Sequence, residues 1–424
     1  MLLLGVNAVQ AQERLTLQDA IAKALEYNFD IRIARVDASR AAANNTAGNA
    51  GMLPNINATG GFTAGSANTH TEFIDGRVQD VTNAASFSYN GAVNLNWTLF
   101  DGGRMFLLKN QLNKLEEMGS VQLKAQIQST ISQVIQAYAQ VVLQKQQGVA
   151  IDTGLSLAKV RMAISRVKFE TGSSAKVDYL QARVDYNTRR SDSLAQQSGL
   201  TAAFANLNAL MGVDAENIYT VDDSLRTDLA LQPADKARLE HVNLSIDLAR
   251  RNAEVSKLNE RIARTYYLPQ LDARGAYTYT RTKSEAGFSV FNRSYGPTGG
   301  LNLNIPIFQG GNIRREVKLA SLQAMRDQLL YDKQNTETGR QYRTVWRNYE
   351  VAVAAYRLEQ ENLGYAQENM NIQRARFRVG IATTIETREA ESSYVDALVR
   401  FYQSVYNLKV SETQVLELEN RLVK

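Results

Sequence analysis

Two histidines are all the imidazole available to this 424-residue chain, and there is no cysteine to add a thiolate. His70 and His241 have no metal-ligand or triad partners at useful spacing, so neither builds a zinc site or a hydrolytic triad. The absence of cysteine excludes disulfides, thiolate metal sites and cysteine nucleophiles, and it suits an oxidising compartment. The glycine pairs starting at Gly60, Gly102, Gly299 and Gly310 are followed by no phosphate-loop lysine and read as strand and turn punctuation. No catalytic residue, cofactor site or metal site is assigned. The remaining candidates act through charge and shape. Glu386 and Glu389 share one helix face at i and i+3. Two Phe-x-x-Gly stretches, ending at Gly172 and Gly380, have the form of helix ends.

These residues sit in a chain suited to very long helices. The five prolines are Pro54, Pro233, Pro269, Pro297 and Pro306. Proline removes a backbone donor and clashes with the preceding turn, so the stretches 55–232 and 307–424 are free to run on as helix. Leu123, Ile127, Ile131, Val134, Tyr138 and Val141 recur every three or four residues, close to a coiled-coil seam. Tyr342, Val345, Tyr349, Ala352 and Tyr356 do the same between Asn312 and Val379. A helix from Gly103 to about Glu170 is about 100 Å long at about 1.5 Å per residue, more than an ordinary globular domain needs. Gly172 and Gly380 each follow such a helix and precede another, so each supplies a reversal; a plain turn with no further role is the alternative. Thr16 and Asp19 resemble a capping box before an N-terminal helix.

The halves of the chain repeat one another. Leu53-Pro54 returns as Leu268-Pro269, Leu95 to Gly103 as Leu303 to Gly311, and Lys168 to Gly172 as Arg376 to Gly380, at offsets of 215, 208 and 208. Between the first two landmarks the period falls to two, the mark of a strand with unlike faces. Phe87, Tyr89, Val93, Leu95, Trp97 and Leu99 alternate with Asn90, Asn94 and Asn96; Leu301, Leu303 and Ile305 alternate with Asn302 and Asn304. Each half carries one hairpin, about 54–100 and 269–308, with polar loops of roughly 66–85 and 281–295. Four strands cannot close a barrel, and an open sheet edge is forbidden in lipid. Two chains would give eight strands and a filled bore; three give twelve and an open lumen, which is the favoured reading. The asparagine row then lines water and the apolar row faces lipid. The alternative is a small soluble sheet packed as a sandwich on a coiled coil.

The start, residues 1–11, reads as the remnant of a secretory signal ending in Val9-Gln10-Ala11, or else as a frayed apolar terminus. No later apolar run approaches the ~18 residues of a membrane helix. The 48 basic and 43 acidic residues leave a net charge of +5 and are interleaved along the chain. This is a solvated helical surface, not a nucleic-acid stripe.

With these landmarks in this order, from Leu15-Thr16-Leu17-Gln18-Asp19-Ala20-Ile21 onward, the chain resembles the TolC-like outer-membrane efflux protein family over nearly its whole length. The resemblance implies a mainly α fold with a membrane β-barrel portion: a homotrimer with a twelve-stranded barrel and a periplasmic tunnel of twelve long antiparallel helices. It implies a channel-tunnel of a tripartite efflux or type I secretion system, with a periplasmic adaptor (membrane fusion) protein and an inner-membrane pump of the RND or ABC type as partners. A coiled-coil fibre or adhesin with a small β head is the other reading. The expected organisation is a first repeat over 12–212, an equatorial insert over 213–233 and a second repeat over 234–424. Return helices are expected at about 177–211 and 234–267, and a C-terminal helix from about Ile385. By the same resemblance, Thr171, Gly172, Ser173, Asp178, Val379, Gly380 and Ile381 form adaptor-docking tips. Glu386 and Glu389 fall where relatives often carry two aspartates, and would ring the periplasmic entrance; ordinary solvated charges are the alternative. The Tyr and Arg that lock this entrance in some relatives are here Phe377 and Ala382, with only Asp178 matching among their partners. Arg374, Arg376 or Arg378 are the candidates to replace them.

Overall fold

The computed structural model describes residues 14–222, 224–287 and 289–422, so the signal remnant at 1–11 lies outside the described residues. In chain order the elements are β1 (Arg14–Leu15), α1 (Leu17–Tyr27), α2 (Phe29–Asn44), β2 (Asn55–Glu72), β3 (Val78–Phe100), α3 (Arg104–Glu170) and α4 (Lys176–Met211). Then follow β4 (Thr220–Val221), α5 (Lys236–Val242), α6 (Leu244–Thr265), β5 (Gln270–Ser284), β6 (Phe291–Asn304), α7 (Asn312–Arg378) and α8 (Thr384–Leu418). Apart from the two-residue strands, each half runs helix, helix, strand, strand, long helix, return helix. Both long helices have 67 residues. Among the described residues, no helix is long and apolar enough to cross a membrane.

One compact unit comprises the chain up to Ala38, Ser120–Leu248 and Asp332 onward. Its first core gathers Leu15, Ala20 and Ala24 with Val134, Tyr138 and Val141 of α3 and Phe204, Leu207 and Met211 of α4. Its second gathers Leu231 and Leu239 with Tyr342, Val345, Tyr349 and Ala352 of α7 and Leu408 and Val415 of α8. The central seam residues are therefore buried, while Leu123 and Ile127 are only half-buried. Thr16 caps α1 with Asp19 in the expected reciprocal box.

Where one helix was expected over about 234–267, the chain breaks at Asn243, and the N-terminal helix breaks in the same way at Asn28. The Asn28 side-chain oxygen accepts from the amides of Asp30 and Ile31, and its Nδ2 donates to Leu210 O at 2.8 Å. Asn243 does the same with Ser245, Ile246 and Leu418 O at 3.0 Å. Asparagine thus starts a new helix and ties it to the last turn of α4 or α8, a better use of a buried amide than an unbroken helix offers. Their separation of 215 equals the Leu-Pro offset, so the break belongs to the duplication. Asn28→Ala is expected to cost about 2 kcal/mol, from a lost cap and an orphaned buried carbonyl, read as a lower denaturant midpoint. Asn28→Ser should recover part of the loss by keeping the cap acceptor.

The other unit comprises Ser39–Gly119 and Ala249–Tyr331. Its antiparallel sheet has the order β2-β3-β5-β6. Opposed residues share a face, so the register assigns every side chain. Asn90, Asn94 and Asn96 stand with Gly61, Asn57 and Asn55 on one side and Thr280, Ala276 and Arg274 on the other. Asn302 and Asn304 join this polar face opposite Asp272 and Gln270. Phe87, Tyr89, Val93, Leu95 and Trp97 share the opposite face with Ile56, Phe62, Tyr277, Tyr279, Leu301 and Leu303.

Three expectations change. The register shifts between Thr98 and Phe100, so Phe100 and not Leu99 stands opposite Leu271: a bulge hands the apolar row on by one residue. Ile305 lies beyond the end of β6, because the following Pro306 has no donor with which to extend the ladder. The polar turns are also far shorter than expected. β2 and β3 leave only residues 73–77 between them and β5 and β6 only 285–290, since backbone pairing continues through polar residues wherever a partner is in register. Pro297 sits within β6, an edge strand, where a missing donor is tolerated.

Candidate functional site

The two glycine tips have the same backbone solution. Gly172 (φ +75°) donates to Phe169 O at 3.0 Å and Ser173 to Lys168 O at 2.8 Å. Gly380 (φ +79°) donates to Phe377 O at 3.2 Å and Ile381 to Arg376 O at 2.9 Å. These paired bonds satisfy the last carbonyls of each long helix and require a left-handed residue at the turn. The first tip is held further by hydroxyls: Thr171 Oγ1 donates to Val167 O at 2.9 Å, and Ser174 Oγ to the Asp178 carboxylate at 2.5 Å. Val177, Val379, Ile381 and Ile385 are all exposed.

The tips meet through Lys168 and Phe377. Lys168 Nζ lies 4.0 Å from the centroid of the Phe377 ring and donates to Phe377 O at 3.3 Å, and the ring itself is buried. Arg374, Arg376 and Arg378 form no ion pair among the described residues. The contact across the tips therefore uses a cation on the first long helix and an aromatic face on the second.

Glu386 and Glu389 have different surroundings. Thr383 caps α8, and the Glu386 carboxylate accepts from the Thr383 amide at 2.7 Å and its hydroxyl at 2.8 Å. These bonds hold its carboxyl below the ordinary glutamate range. Glu389, one turn on and exposed, lines a cavity of about 380 Å³ with Arg388, Arg189 and Asp192.

The same cavity is lined by a charged cluster whose members lie far apart along the chain. Buried Arg161 of α3 donates to Asp185 of α4 at 3.0 Å and to Glu391 of α8, joining three helices. Burial pushes the Glu391 carboxyl up, against the opposing pull of Arg161. Gly154 permits the close approach of α8, since a Cβ there would lie 3.2 Å from Val395. A signal for the cluster was available. Arg161 lies eleven residues before Gly172, Asp185 thirteen after it, and Glu391 eleven after Gly380. Helices that reverse at the two glycines bring these positions level. Among the described residues, no group of histidines and carboxylates is arranged to hold a metal.

The family model "Outer membrane efflux protein" matches residues 20–213 and 229–420. Among curated proteins, the outer membrane protein TolC of Vibrio cholerae is 22% identical over 377 residues, covering 87% of this chain and 82% of that one. The proteases secretion protein PrtF of Dickeya chrysanthemi is 20% identical over 395 residues, covering 91% and 84%. Among solved structures, the Campylobacter jejuni CmeC outer membrane channel superposes with a TM-score of 0.79 at 18% identity, covering 96% of this chain and 85% of that one. The fold is that of these channels. The duplicated tips, the two-faced sheet and the paired 67-residue helices belong together: the chain is a member of the outer membrane efflux protein family, an outer-membrane transport protein.

Proposed function

We propose that three copies of this chain close a twelve-stranded barrel and form a passive exit duct across the outer membrane and periplasm. The observation that carries the reading is the four-stranded sheet, polar on one face and apolar on the other, with β2 and β6 as edges. Lipid tolerates such edges only if another chain pairs with them. On this reading Asn90, Asn94, Asn96, Asn302 and Asn304 line the lumen. The repeats span 12–212 and 234–424 around an insert at 213–233. The names of relatives, among them a proteases secretion protein and an outer membrane efflux protein, support a role in secretion or efflux, and the system we propose is a tripartite efflux or type I secretion system. The exposed Val379 and Ile381, with Thr171 to Asp178, are the surface for a periplasmic adaptor, and an RND or ABC pump supplies the cargo. Glu386 and Glu389, repeated threefold, form acidic rings at the entrance that attract cations.

The purified protein is expected to form a detergent-stable trimer that conducts ions in planar bilayers. A water-soluble monomer would overturn the reading and favour a fibre. Glu386→Gln with Glu389→Gln should lower cation selectivity and divalent block several-fold. Glutamine is the informative replacement, because it preserves the side-chain length that caps α8. Unchanged selectivity would remove the ring assignment while leaving the duct.

A further inference from the structure

On the apolar face of the sheet, the register sets Arg281 directly opposite Arg293, with Tyr89 and Phe62 completing the same rung. The next rung toward the hairpin ends holds Lys283 between Phe87 and Phe291. All three cations are exposed, and no carboxylate pairs with any of them among the described residues. The nearby Glu285 carboxylate accepts from the Ala85 amide at 3.1 Å. Like charges directly opposed across two strands destabilise a sheet, so this arrangement gains nothing without an anion. The guanidinium groups are also laid against rings: Arg281 is 5.4 Å from the Phe291 centroid and Arg293 6.0 Å from that of Tyr295. Stacking in this way leaves N–H edges free for oxygen pairs, as phosphate offers.

The height of the cluster points to the source of the anion. From the Leu271/Leu303 rung to the Arg281/Arg293 rung is ten residues. That is about 34 Å along a strand, and about 26 Å across the membrane at a tilt near 40°, close to the apolar band of an outer-membrane barrel. Tyr277, Tyr279 and Tyr295 lie just below, where an aromatic girdle belongs.

We propose that Arg281, Arg293 and Lys283 form a binding site for the phosphate of an outer-leaflet lipid headgroup. The inference rests on the membrane-spanning reading of the sheet. A free anion would have to leave water for a face of rings, whereas a lipid is brought there by its own acyl chains along the Leu, Val and Tyr rows.

The test uses the full chain reconstituted in phosphatidylcholine vesicles, probed with bisphosphorylated lipid A and its phosphate-free counterpart. Wild type should hold the phosphorylated lipid at least tenfold more tightly, and the triple variant Arg281→Gln, Arg293→Gln, Lys283→Gln should lose that preference. Arg293→Glu should also lose it, yet raise the lipid-free melting temperature by removing the opposed charges, which separates binding from folding. Equal binding of the two lipids by wild type, an undiminished preference in the triple variant, or full competition by millimolar inorganic phosphate would each overturn the site. If wild type enters vesicles but shows no preference, only this inference fails. If it never enters them, the barrel reading falls as well.

Discussion

Arg161→Met is expected to cost the protein about 3–5 kcal/mol, the usual consequence of removing one partner from a buried ion pair. The side chains of Arg161 and Glu391 are only 4% and 7% exposed and that of Asp185 17%, so water cannot replace the guanidinium. The variant would leave two carboxylates from different helices facing one cavity, with Glu389 and Asp192 on the same wall and Arg189, Arg388 and Arg374 as the remaining cations. The effect should depend on pH with a definite sign. Burial already raises the Glu391 carboxyl above its usual 4.5, and losing the cation raises it further. A carboxyl raised by folding favours the folded state when protonated, and that contribution is lost as pH rises through the folded value. The defect should therefore be largest at pH 8 and shrink toward pH 5, measured as denaturant midpoints in detergent. Adding Asp185→Asn and Glu391→Gln should restore most of the stability at pH 8. A loss below about 1 kcal/mol with no pH dependence would show that the cluster is solvated rather than buried.

Gly212→Ala should be the most damaging single-methyl change among the turn glycines. Gly212 ends α4 at φ +69°, and a Cβ there would lie 2.5 Å from Tyr27 O and 2.8 Å from its carbonyl carbon. The left-handed backbone alone costs an alanine about 1–2 kcal/mol. Displacing the Tyr27–Asn28 backbone, which carries the Asn28 cap and its bond to Leu210 O, brings the expected total to about 2–4 kcal/mol. Gly172→Ala provides the control. Its φ is similar, but a Cβ would meet nothing within 4 Å, so only the backbone cost applies. Equal destabilisation by the two changes would refute the packing argument. The second half meets the same turn with Asn420 at φ +54°, again 208 residues on, and asparagine tolerates that conformation.

Most of the architecture was legible because it is periodic. A heptad-like seam and the absence of proline are local properties, and they located both long helices to within about a residue. Alternation assigned the faces of the sheet for the same reason: Asn94 and Leu95 must point in opposite directions in any extended strand. The tips followed from glycine after a helical run, where only one backbone conformation closes the turn.

What failed was non-local or depended on a competing hydrogen bond. Polarity marked Ser66 and Arg281 as loop, yet both pair within strands, because backbone pairing continues wherever a partner is in register. The bulge before Phe100 leaves no compositional trace, and the breaks at Asn28 and Asn243 depend on carbonyls 182 and 175 residues away. Arg161 sits among unremarkable helical charges until two reversals bring Asp185 and Glu391 level with it. Glu386 read as a ring or surface charge, and only the start of α8 shows that it is also a cap. The sequence alone thus determined the two long helices, the faces of the sheet and the duplication, since these follow from the local period of side chains along the backbone. Only the tertiary structure decided which charges are buried together and where each ladder ends, because both depend on atoms brought close by folding over hundreds of residues.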